Sequence, residues 1–142
     1  MKDVLIRSIP HTGTHFLMHL IESHGMTPRT KHVNGWEGEE CICPIRDPYE
    51  TYCSWATRER QQDFTQQWLF LNEIYTQNKG IFLPIDTEDR DKYLDRLSDH
   101  LKVKLTTDWK PQNSLEGDKL RPKVDLSTVY DLPIVRGFGY EY

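Results

Sequence analysis

The chain has 142 residues, 37% of them hydrophobic and 11% aromatic, with a formal net charge of −4 at pH 7. That length fits one domain, 1–142, with a core over about 1–104 and an irregular tail over 105–142, and the acidic balance excludes a general nucleic-acid binder, so any anion site has to be local. No apolar run reaches the roughly 18 residues of a membrane span, three cysteines make no disulfide framework, and a strand begins close to Met1, so the expectation is a cytoplasmic protein with no signal peptide and no membrane partner.

In chain order, Val4, Leu5, Ile6 and Ile9 read as a short buried strand. Pro10, His11, Thr12, Gly13 and Thr14 make a tight loop, and Phe16, Leu17, Leu20 and Ile21 then fall on one helical face. The first N–H groups of such a helix have no intrahelical partner and the helix dipole is positive there, so an anion is favoured. Thr12 and Thr14 offer hydroxyl donors, and Gly13 lets the chain curl close to a ligand. This stretch therefore reads as a phosphate cradle, although the same strand–loop–helix occurs in α/β proteins that bind no phosphate, and the GxxxxGK[ST] pattern of nucleotide triphosphatases is absent.

Ser23–His24–Gly25 stops the helix, and Met26 to Glu40 reads as loop with a short extended piece at Lys31–His32–Val33. Cys41 to Ile45 fits a buried strand. Arg46–Asp47–Pro48 follows, with Asp47 placed to cap a helix from about Tyr49 to Gln61. Helices over Phe64–Gln77 and Thr87–Lys102 flank a third strand, Ile81–Ile85. Beyond Leu105 the prolines break the pattern, one short helix fits Ser127–Val135, and the tail either wraps the core or serves contacts between subunits of a homo-oligomer. The alternation of strands and helices implies an α/β fold with a small parallel sheet flanked by helices. Ligands of such folds sit at the carboxyl ends of the strands, where the 10–14 loop and the 46–48 turn can face one ligand.

Arg46 at a strand end can fork onto a phosphate, and Ser54, two helical turns further on, can donate another hydrogen bond. The alternative is a structural Arg–carboxylate pair with Ser54 as a packing residue. PHTGTHF resembles the 5′-phosphosulfate loop of sulfotransferases, and IRDPYETYCSW resembles their 3′-phosphate element, with Arg46, Pro48 and Ser54 in the recurring positions. The ending TVYDLPIVRGFGYEY is also similar to family C-termini. The likeness covers most of the chain at low identity, as for a short, divergent member of phage or bacterial kind.

The resemblance implies a P-loop NTPase-like, three-layer α/β sandwich that takes 3′-phosphoadenosine 5′-phosphosulfate (PAPS) and passes its sulfuryl group to a hydroxyl or amine of a small-molecule or glycan acceptor. By the same resemblance His11, Thr12, Gly13 and Thr14 hold the 5′ end, Phe16 lies near the adenine, and Arg46 and Ser54 hold the 3′-phosphate. His11 stands where the family has Lys or Arg. At a helix N-terminus its imidazole is held neutral, and a bound phosphosulfate pushes it towards protonation. His32, between the two anchors, is the candidate general base. His15 follows the loop and joins the candidate cofactor contacts, with a helix-surface role as its alternative. Trp36 could line an acceptor pocket, and Glu37, Glu39 and Glu40 read as a solvated acidic loop. Cys41 and Cys43 lack the further ligands of a structural metal site, so no metal is expected. Two other readings remain: a catalytically inactive sulfotransferase-like scaffold with a binding or virion role, and a nucleotide-kinase-like protein.

Overall fold

A computed structural model describes residues 2–10, 12–57, 63–109 and 120–142. Four strands, β1 (Asp3–Ser8), β2 (Thr27–His32), β3 (Cys41–Ile45) and β4 (Gly80–Pro84), form one sheet in the order β2-β1-β3-β4. Every pairing in it is parallel. Helix α1 (Thr14–Ser23) follows β1, α2 (Pro48–Thr57) and α3 (Phe64–Thr76) separate β3 from β4, and α4 (Arg90–Leu101) follows β4. Two short helices, α5 (Ser127–Tyr130) and α6 (Pro133–Gly137), lie near the C-terminus. None of the described helices is long and apolar enough to cross a membrane.

Strand alternation sends side chains to both faces, and helices cover both. Val4 and Ile6 of β1, Ile42 of β3 and Leu83 of β4 pack with Phe16, Leu17, Leu20 and Ile21 of α1 and with Leu94, Leu97 and Leu101 of α4. On the other face Cys41, Cys43, Ile45 and Phe82 meet Trp55 of α2, Phe64, Trp68, Leu71 and Ile74 of α3, and the buried residues of α5 and α6. The result is helix, sheet and helix in three layers.

Three boundaries differ from the sequence expectation. The piece expected at Lys31–Val33 is a full strand beginning at Thr27, and its polar residues TPRTKH hide it from an apolar pattern. It is an edge strand whose backbone pairs with β1 from Asp3↔Thr27 to Ser8↔His32, so hydrogen bonding rather than burial defines it. Helix α4 starts at Arg90 rather than Thr87, because the chain first turns through a stretch anchored by the Asp86 carboxylate. The single helix expected over Ser127–Val135 is two, since Leu132 is extended (φ −66°, ψ 140°) ahead of Pro133. The far end of the helix expected to reach Gln61 lies outside the described residues.

The C-terminal segment packs back on the chain. The Tyr49 hydroxyl donates to the Pro122 carbonyl (3.1 Å), Arg121 pairs with Glu50 (2.6 Å), and the Ile134 N–H donates to Asn72 Oδ1 (3.1 Å). Of the two roles left open for the tail, the described part wraps the core.

Candidate functional site

After β1 the chain crosses to β2 on one side and then returns to β3 on the other. The carboxyl ends of β1 and β3 therefore flank the point where strand order reverses, and such crevices receive ligands in open parallel sheets. The loop after β1 and Arg46 after β3 follow adjacent parallel strands, and Gly13 packs against Ile85, whose N–H donates to the Ile45 carbonyl (3.1 Å). The two stretches picked out by sequence thus stand side by side at one end of the sheet.

Gly13 is the N-cap of α1 in the left-handed region (φ 96°, ψ 24°), and its carbonyl accepts the Leu17 N–H (3.0 Å). Having no side chain, it makes no cap hydrogen bond to the first-turn N–H groups. A Cβ there would stand 2.5 Å from Ile85 Cδ1, so the turn also needs glycine for space. The Trp55 indole N–H donates to the Pro10 carbonyl (2.6 Å) and ties α2 to the loop.

The hydroxyls do not both face a ligand as expected. Thr12 is fully buried and its hydroxyl donates to the Ile9 carbonyl (2.7 Å), so that hydroxyl does not face a ligand. The Thr14 hydroxyl donates to Ser8 Oγ (2.9 Å). Phe16 is buried against α4 and stacks on Trp109, with ring centroids 5.5 Å apart and planes 12° apart. The ring face expected to meet a base is covered by an indole. His15 is exposed, and His11 lies outside the described residues.

Arg46 directly follows β3 and stands 3.9 Å from Glu50, with its side chain 23% exposed. Ser54 is buried in α2, so its place in the site rests on its spacing from Arg46. His32 is the last residue of β2, exposed, and opposite Ser8. Paired residues share a sheet face, which puts His32 on the side where Ser8 meets Thr14.

Two expectations about the 33–40 loop are corrected. Trp36 is buried in the core and its indole N–H donates to the Glu39 carbonyl (2.7 Å), so it braces the loop. Glu39 is not part of a solvated acidic run. Its carboxylate takes the Arg7 Nε–H (2.5 Å) and the Glu37 N–H (3.0 Å), while Arg7 Nη1 donates to the His32 carbonyl (2.6 Å). Partial burial pushes the Glu39 carboxyl up, but the N–H donors and the Arg7 charge outweigh it and hold the group below its ordinary value. Arg7 was invisible to periodicity because it sits within an apolar strand.

Beside Arg46 the sequence reading missed a hydrogen-bonded carboxylate pair. Asp47 caps α2 by accepting the Glu50 N–H at Oδ2 (3.0 Å), and its Oδ1 accepts the Tyr130 hydroxyl (2.7 Å). Asp86, just past β4, accepts the Asp47 N–H (2.8 Å) and the Tyr140 hydroxyl (2.5 Å). Burial, with the neighbouring Asp47 charge, raises the Asp86 carboxyl above its ordinary 3.8 even though both hydrogen bonds pull the other way. Burial likewise raises both phenols, so they stay protonated donors. Of these four, Asp47 carried a sequence signal in its position before Pro48.

A raised folded-state pKa makes the Asp86 contribution to stability full below 3.8 and lost as pH rises through the raised value. Asp86→Asn, which lacks that titration, should therefore gain on the wild type in urea unfolding as pH rises above 3.8. A stability difference independent of pH would contradict the perturbation.

Cys41 and Cys43 Sγ lie 3.7 Å apart inside the sheet face, with burial raising the Cys43 thiol. Compared with family models, curated proteins and solved structures, the chain matches none. The geometry of the crevice therefore carries the functional argument by itself.

Proposed function

We propose that the chain is a sulfotransferase of P-loop NTPase-like type that binds PAPS across the carboxyl ends of β1 and β3 and passes its sulfuryl group to a hydroxyl or amine. The observation that carries this reading is the juxtaposition of the Pro10–Gly13 turn, with its side-chain-uncapped helix start, and Arg46 on the neighbouring parallel strand. A two-ended anion fits that arrangement. First-turn N–H groups take one phosphate, and the Arg46 guanidinium takes the other. Two features support the reading: Gly13, the N-cap of α1, makes no side-chain cap hydrogen bond, and Arg46 stands at the end of the adjacent strand.

When bound, PAPS supplies an activated sulfuryl group. The chain's own part is to hold donor and acceptor in line and to meet charge on the departing phosphate with N–H groups. A ring nitrogen of His32 takes the acceptor's proton in this reading, from a strand end adjacent to the loop. A scaffold that binds nucleotide without turnover is the second reading, favoured by the inward-turned Thr12 hydroxyl and the covered Phe16 ring. Binding without transfer to any of a panel of alcohols and amines would select it.

Calorimetric titration with adenosine 3′,5′-bisphosphate tests the reading. Loss of a charge-assisted fork is worth about 1.5–3 kcal/mol, so Arg46→Ala should bind roughly 10- to 100-fold more weakly, and Arg46→Lys, which keeps charge without the fork, should fall between. Absence of binding to the wild type would sink it.

A further inference from the structure

The Gly13 turn and Arg46 are joined through one dipeptide. Past β4 the Ile85 N–H donates to the Ile45 carbonyl (3.1 Å), which carries the sheet ladder a step beyond the strands. The Ile85 side chain is the surface on which Gly13 rests, so close that a Cβ at Gly13 would overlap its Cδ1. The next residue, Asp86, turns its carboxylate the other way. Its Oδ2 accepts the Asp47 N–H (2.8 Å), which belongs to the peptide leaving Arg46. Ile85 thus meets the start of α1, and Asp86 meets the backbone of Arg46.

Both ends of this link are themselves held. The other Asp86 oxygen, Oδ1, accepts the Tyr140 hydroxyl (2.5 Å). Tyr140 follows Phe138, whose ring packs against Tyr75, Phe82 and Tyr93. On the α2 side, Asp47 takes the Glu50 N–H (3.0 Å) and the Tyr130 hydroxyl (2.7 Å), and that hydroxyl in turn accepts the Tyr49 N–H (3.0 Å). The Trp55 indole N–H on the Pro10 carbonyl (2.6 Å) ties the loop to α2 from the opposite side. The backbone that carries Arg46 is therefore fixed in relation to the Gly13 turn, while its guanidinium stands 3.9 Å from Glu50.

An anion with a phosphate at each end is read by the distance between its two binding points as well as by each point. A guanidinium carried on a fixed backbone loses less freedom on binding, and small misplacements of such a group are costly. We infer that Ile85–Asp86 is the strut that sets this distance, that Asp86 is a positioning residue for Arg46, and that the crevice thereby selects anions phosphorylated at both ends over those phosphorylated at one. This rests on the proposal that the Pro10–Gly13 turn and Arg46 hold the two phosphates. Asp86 touches no ligand here. It works as a hydrogen-bond acceptor, and its charge is no help, because a carboxylate near Arg46 competes with a phosphate for the guanidinium. An amide of the same shape should serve as well.

The test titrates wild type, Asp86→Ala, Asp86→Asn and Tyr140→Phe with adenosine 3′,5′-bisphosphate and with adenosine 5′-monophosphate, which lacks the group Arg46 would hold. Asp86→Ala should bind the bisphosphate about tenfold more weakly and the monophosphate as the wild type does. Asp86→Asn, which keeps an oxygen for the Asp47 N–H, should retain wild-type affinity for both. Tyr140→Phe should lose about threefold for the bisphosphate alone. Adding Asp86→Ala to Arg46→Ala should weaken binding no further, since a positioning residue acts only through the group it positions. If Asp86→Ala does not fold, Tyr140→Phe with and without Arg46→Ala decides. Wild-type affinity in Asp86→Ala, an equal loss in Asp86→Asn, or a loss that persists without Arg46 would overturn the strut. The phosphate reading would then still stand on the weaker binding of Arg46→Ala. No binding of the bisphosphate to the wild type would overturn both.

Discussion

Gly13→Ala should destabilise the protein by about 2–5 kcal/mol in urea unfolding, the sum of two separable costs. The backbone at φ 96° disfavours any β-carbon by about 1–2 kcal/mol. The new methyl also meets Ile85, with Cδ1 at 2.5 Å and Cγ2 and Cγ1 at 3.3 and 3.4 Å, and relieving such an overlap costs about 1–3 kcal/mol. Ile85→Val removes Cδ1 and on its own should cost about 0.5–1.5 kcal/mol. In the double variant the steric part should return and the backbone part should remain, so the two changes should couple favourably. A Gly13→Ala protein as stable as the wild type would mean that the turn does not hold the left-handed geometry on which the proposed anion site depends.

Glu39→Ala should cost about 2–4 kcal/mol, somewhat under the 3–5 of a fully buried broken pair because the Glu39 side chain is 33% exposed. The loss is mostly a penalty on the partner. The Arg7 side chain is 9% exposed, and without Glu39 it keeps the His32 carbonyl but no counter-charge. Arg7→Met with Glu39→Ala should recover much of the loss, because two apolar replacements leave no stranded ion. If the single variant unfolds at the wild-type denaturant midpoint, the pair contributes nothing and the 33–40 loop is held by other contacts such as the buried Val33 and Trp36. Because Arg7 also fixes the His32 carbonyl, Glu39→Ala should slow any transfer that uses His32 more than it weakens nucleotide binding.

Strands and helices with an apolar period were readable from the chain alone: β1, β3, β4, α1 and α3 each announce themselves by buried residues at the right spacing. The polar edge strand β2 was legible only in part, because its stability lies in backbone pairing that no side chain reports. The site divides along the same line. Local chemistry at Gly13 and Arg46 is written in neighbouring residues. The partners of that chemistry come from remote segments: Tyr130 reaches Asp47, Tyr140 reaches Asp86, and Trp109 reaches Phe16. Spacing cannot show that Thr12 turns inward either, since that depends on which carbonyl the fold brings within reach.

The tyrosine bonds to the two carboxylates set an order of events during synthesis. Asp47 waits for Tyr130, 83 residues further along the chain, and Asp86 waits for Tyr140, 54 residues on. The four strands can assemble earlier, as N-terminal segments fold first on a growing chain. The hydrogen bonds to Asp47 and Asp86 beside Arg46 form only once Tyr130 and Tyr140 have left the ribosome. A nascent chain arrested before Tyr130 should therefore carry a formed sheet while Asp47 and Asp86 still lack their tyrosine partners.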